Sequence, residues 1–100
     1  RSFAVVRVLQ EWAVPFLDGC ATVVEHTVLS APTRAYIVAA LECVVRIARV
    51  CLGPANDVAR ARHSTLRLLL AGWKRGDREL VELASRLASI YDYMHSWSIN

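Results

Sequence analysis

The sequence predicts an all-α fold, with about five antiparallel helices in a bundle or a short helical-hairpin array. Three observations carry that prediction. Apolar residues recur at three- and four-residue spacings along nearly the whole chain. Glycine and proline stand between those runs, at Pro15, Gly19, Pro32, Gly53, Pro54, Gly72 and Gly76, where helices start and stop. The apolar fraction is 55% of 100 residues, above the usual 45–50% or so, so the helices must bury broad faces.

The stretch "SFAVVRVLQEWAV" places Val5, Val8, Leu9 and Trp12 on one face of a first helix, although its valines keep a strand open as the alternative. Beyond Pro15, "FLDGCATVVEHTVL" repeats the period through Phe16, Cys20, Val23, Val24 and Val28 as a second helix. Ser30 then serves as a cap with Pro32 in the first turn. The third helix, 34–52, ends at Gly53, and Pro54 blocks continuation.

That third run, "RAYIVAALECVVRIARVCL", is apolar enough to raise the question of a membrane. A spanning helix needs about 20 largely uncharged residues, and arginine near its centre is costly. Glu42, Arg46 and Arg49 share one stripe, with Glu42 four residues ahead of Arg46 in the favourable order for an ion pair. The segment therefore reads as the central helix of the domain, buried on most of its circumference by neighbours on several sides, with Val38, Leu41, Val45 and Ala48 buried and one wet edge.

Asn56 or Asp57 can cap a fourth helix whose inner face is Val58, Ala61, Thr65, Leu66, Leu69 and Trp73. Gly76 ends it and Asp77 caps the last helix, where Leu80, Leu83, Ala84, Leu87, Tyr91 and Met94 form the buried stripe. Glu79, Glu82, Arg86 and Asp92 lie away from that stripe. Short loops favour antiparallel neighbours. No fixed period with recurring residues supports a true repeat array.

One domain, 1–100, fits this length. It opens on "RSFAVV", without an initiator methionine, and is expected to be a piece of a larger protein. Its first residues do not show the charged, apolar and cleavage-site pattern of a secretory signal. Three cysteines, Cys20, Cys43 and Cys51, form an odd set on apolar faces, which predicts reduced thiols in a cytoplasmic setting. His26, His63 and His95 have no metal-ligand spacing to them. "AGWKRGD" follows a helix and lacks the spacing of a phosphate loop. No serine sits on a strand-to-helix elbow. The expectation is a binding protein and not an enzyme, with no cofactor and no metal.

Two features point to partners. The apolar surplus predicts a protein that covers exposed apolar surface. Between Arg60 and Arg78 stand six lysines or arginines and one acid, Asp77. Arg60, Arg67 and Lys74 recur every seven residues, and with His63, Arg75 and Arg78 they make a basic ridge for an acidic partner. A solvated outer face is the competing reading. A helix–turn–helix with 77–94 as the reading helix is a third, opposed by Glu79, Glu82 and Asp92, which would repel phosphates.

The order "SFAVVRVL", "FLDGCATVV", "RAYIVAALECVVRIA", an arginine-rich helix and a final amphipathic helix resembles the C-terminal helical domain of the regulatory, WD40-bearing subunit of katanin. Leu17, Asp18, Cys20, Thr22 and Val23, with Tyr36 and Ile37, carry the local match. Pro15, Gly19, Pro32 and the short linker at 53–57 depart from that pattern. The resemblance implies a heterodimer with the N-terminal region of the katanin ATPase subunit, help in engaging microtubules, and a cytoskeletal location. The alternative is a generic helical scaffold fragment of a larger assembly.

Overall fold

The structure, a computed structural model, describes residues 2–26, 28–49 and 55–99. They form four helices, α1 (Ser2–His26), α2 (Ala31–Ala48), α3 (Ala55–Arg75) and α4 (Arg78–Ile99), and no strand occurs among the described residues. The all-α class is as expected, but the helices number four and not five. The difference lies at Pro15, through which α1 runs unbroken. An interior proline costs about 3 kcal/mol and removes one backbone hydrogen bond. Ala13, Val14, Leu17, Ala21 and Val24 on both sides of it are buried on one continuous face, and that burial offsets the cost. Pro15 itself is exposed.

The helices pack in the ring order α1, α3, α4, α2. The α3–α4 contact is the most extensive, α1 lies on α3, and α2 lies chiefly on α4 with little contact to α1. Ser64 and Arg75 of α3 meet Asp18 and Val24 of α1, so numbers rise together and these two helices are parallel. The expected central place of helix 34–52 is therefore wrong: the α3–α4 hairpin is the centre and α2 covers one side of it. Val38, Leu41, Val45 and Ala48 are buried as expected, with Ile37 and Val44. The opposite side of α2 carries exposed Tyr36 and Cys43 as well as Glu42, Arg46 and Arg49, so one neighbouring layer suffices.

The inner face of α4 is as expected, with Leu80, Leu83, Ala84, Leu87, Tyr91 and Met94 all buried. That of α3 is rotated. Val58, Ala61 and Thr65 are buried, but so are Ser64, Leu68 and Ala71, while Leu66 and Trp73 are exposed. Two neighbours, α1 and α4, flank α3, and the sector between them takes in two hydroxyl residues. Thr65 Oγ1 donates to the Ala61 carbonyl (2.7 Å) and Ser64 Oγ to Asp18 (3.2 Å), so neither is buried without a partner. On α1 Val5, Val8 and Trp12 are exposed, as is Val28 beyond its end.

Chain punctuation follows capping chemistry. Ser30 is extended (ψ 155°) and accepts from the Thr33 amide at the start of α2, with Pro32 in the first turn. The expected stop at Gly53 and Pro54 lies outside the described residues. Because α3 begins at Ala55, Asn56 and Asp57 lie within its first turn and do not precede it. At its other end Gly76 takes φ +68°, its amide donates to Trp73 O, and the Asp77 amide donates to Gly72 O. This is the left-handed Schellman closure.

Asp77 has a second task. Its carboxylate accepts from the Leu80 amide (3.2 Å), capping α4, and from Arg34 Nε (2.6 Å) and Nη2 (2.7 Å) at the start of α2. The Arg34 hydrogen bond, then the cap, hold its carboxyl below the ordinary 3.8, against partial burial. A lowered value in the fold means the unfolded chain binds this proton more readily. The contribution is thus complete above pH 3.8 and is lost as pH falls through the lower folded value. Urea melts at a series of pH values should show Asp77→Asn flattening that acid limb. An unchanged limb would assign the acid sensitivity to other carboxylates.

Candidate interaction site

The basic ridge divides once the neighbours of each residue are known. Arg67 does not face solvent alone: it reaches across to α1, where Asp18, Thr22 and Glu25 stand at helical spacing. Its guanidinium donates four hydrogen bonds, to Asp18 Oδ1 (2.8 Å), Thr22 Oγ1 (3.1 Å), Glu25 Oε1 (2.6 Å) and Glu25 Oε2 (3.1 Å). The Arg67 bond holds the Glu25 carboxyl below its usual range, and Glu25 in turn raises the Arg67 guanidinium. Arg75 donates to the Val24 carbonyl (2.8 Å), one of the orphan acceptors in the last turn of α1. These two arginines bind α1 to α3. Arg60, Lys74 and Arg78 are exposed and carry their charge at the surface, with His63 exposed among them. The seven-residue spacing correctly placed Arg60, Arg67 and Lys74 on one side of α3, but it did not show that α1 sits against the middle of that side. The polar line Asp18, Thr22, Glu25 was the signal for it.

Two apolar surfaces remain uncovered. On α1, Val5, Val8, Trp12, Phe16 and Val23 fall within about 80° at 100° per residue. Val5 is 60% and Val8 63% exposed. Trp12 and Phe16 stack with centroids 4.6 Å apart and planes 16° from parallel. Because α2 barely meets α1, the stripe opens into a groove between them, walled by Phe16, Gly19 and Val23 on one side and Pro32, Tyr36 and Ile37 on the other. No charged side chain lines it. The periodicity of α1 is legible in the sequence, which places Val5, Val8 and Trp12 on one face without saying whether that face meets the core or water. The second surface is on α3, where Leu66, Leu70 and Trp73 are exposed in a row.

Other chemistry is sparse. Cys20 is buried, which pushes its thiol up to about 11 and leaves it protonated and unreactive at neutral pH. Among the described residues, no three His, Cys, Asp or Glu side chains stand close enough to hold a metal ion. Likewise, no helix among them is long and apolar enough to cross a membrane. Compared with known proteins, the chain matches no family model, no curated protein and no solved structure.

Proposed function

We propose that this chain is a protein-interaction domain and that an amphipathic helix of its partner lies along the α1 stripe and into the α1–α2 groove. The uncharged stripe on α1 carries this reading. From Val5 to Val23 it is about 27 Å long at 1.5 Å per residue, the length of a five-turn helix, and its exposed Trp12, stacked on half-buried Phe16, is a side chain of the type that anchors interfaces. Helix-in-groove docking uses an apolar stripe of this type. The resemblance to the regulatory subunit of katanin gives a concrete candidate, the N-terminal region of the katanin ATPase subunit. In that reading Arg60, His63, Lys74, Arg75 and Arg78, with Arg67 behind them, face the acidic microtubule surface.

Titration of the ATPase N-terminal region into the chain tests both levels. Trp12→Ser with Val8→Asp is expected to weaken binding at least about tenfold, or 1.4 kcal/mol, with the thermal melt unchanged. Reversing Arg60, Lys74 and Arg78 to Glu should leave that binding intact and make microtubule cosedimentation fall. Binding that survives the α1 double variant would refute the stripe as the site. If the ATPase region never binds, the katanin-type reading fails. The stripe is then expected to reveal itself by dye binding or concentration-dependent self-association, which Trp12→Ser abolishes.

A further inference from the structure

The outer surface of α3 is not simply a basic ridge. Leu66, Leu70 and Trp73 are 44%, 56% and 71% exposed, at spacings of four and three residues, so they form one apolar row on the solvent side. Trp73 stands at the end of this row over a shallow cleft formed with Gly76, Asp77, Arg78, Val81 and Glu82, whose two carboxylates are already held by Arg34 and Arg86. Along one side of the row run exposed His63 and the exposed cation Lys74, with Arg60 beyond them, and Arg78 closes the end. The other side is closed by Arg62, whose Nε is held by Asp92 of α4 at 2.9 Å. An apolar row with cations on one shoulder has a specific complement. We infer that α3 is a second docking surface, distinct from the α1 stripe, and that its occupant is an acidic amphipathic helix.

Charge and geometry both select that occupant. Leu66 to Trp73 spans about 10.5 Å at the helical rise, so apolar residues at i, i+4 and i+7 of an antiparallel or parallel partner helix come into register with it. Acids on one flank of that helix then meet Lys74 and Arg78. A disordered acidic tail would engage the cations but leave Leu70 and Trp73 in water, and a neutral helix would cover the row and leave the cations without counter-charges. Arg67 takes no part, because its guanidinium is already committed to Asp18, Thr22 and Glu25. The cations that remain lie to one side of the row, which fixes the face of the partner on which acids are needed.

The test uses the 100-residue chain and a labelled peptide of about 16 residues, long enough to hold a helix. The peptide carries leucine at i, i+4 and i+7 and glutamate on one flank. A shuffled peptide of the same composition, polyglutamate and a duplex DNA are the comparators, read by fluorescence anisotropy. Trp73→Ala and Leu70→Ser are each expected to weaken the amphipathic peptide at least about tenfold, with circular dichroism unchanged because both positions are exposed. Lys74→Glu should weaken it as well, and exchanging the peptide glutamates for lysine should restore binding to that variant. Trp12→Ser on α1 should leave the affinity as it was. Equal binding of the shuffled peptide, polyglutamate or DNA would overturn the inference in favour of a purely electrostatic ridge. Loss of binding with Trp12→Ser, but not with Trp73→Ala, would place the peptide on α1 and overturn it as well.

Discussion

Alanine at Leu41 or at Leu68 is expected to destabilise the fold by about 2–5 kcal/mol each, the range for a large side chain removed from a packed core. Leu41 is fully enclosed where α2 meets α4, and Leu68 is almost fully enclosed in the seam of α3. Leu66, two residues away from Leu68, points to solvent, so Leu66→Ala should change stability by less than about 0.5 kcal/mol. Chemical denaturation of the three variants measures the contrast. The sequence pattern alone placed Leu66 inside, so equal losses at Leu66 and Leu68 would restore that placement and contradict the rotation of α3. A loss at Leu41 as small as that at Leu66 would detach α2 from the core.

The next largest effect is expected at Gly72. A Cβ added there would lie 3.3 Å from the Leu80 Cβ, the Val81 Cγ2 and the Val81 backbone nitrogen. The first two neighbours can shift only with α4, and the third is main chain at the start of that helix. Gly72→Val should therefore cost about 1–3 kcal/mol by overpacking, although valine is the better helix former. Gly72→Ala should cost less, since its gain in helix propensity, about 0.8–1.0 kcal/mol, offsets a shift of a few tenths of an ångström. Urea melts decide the matter. A valine variant as stable as the parent would show that the α3–α4 hairpin opens freely at its turn.

Much of this architecture was legible in the chain, and the exceptions have definite causes. The amphipathic pattern of α4 needed no correction, because a single broad face of that helix is buried. Capping chemistry placed Ser30, Gly76 and Asp77 correctly, since each acts on its own neighbours. Pro15 was overrated as a breaker: local propensity charges its full cost to the helix, while the burial of Val14 and Leu17 that offsets it comes from other helices. The inner face of α3 was misplaced because two neighbours bury a sector containing Ser64 and Thr65, polar types that pattern reading leaves outside. For the interaction surfaces, composition correctly indicated uncovered apolar residues, but periodicity cannot tell a stripe that meets another helix from one that meets water. Arg67 was read as a surface cation for the same reason. Its partners lie 42 to 49 positions away, beyond the reach of any local pattern.

That separation in sequence also sets the order in which the chain assembles. The α3–α4 hairpin closes across a two-residue turn fixed by Gly76 and Asp77, so its contacts are local and carry little loop-closure entropy. The hydrogen bonds described between α1 and α3 reach across 42 to 51 positions, and those from α2 to the start of α4 across 43 and 45, so both helices are expected to dock after the hairpin forms. Helices α1 and α2 are accordingly expected to join after the hairpin, and their amides should exchange hydrogen ahead of those of α3 and α4. A protein that grips the α1 stripe and the α1–α2 groove then also holds the two late-joining helices in place, raising the stability of the whole domain by mass action.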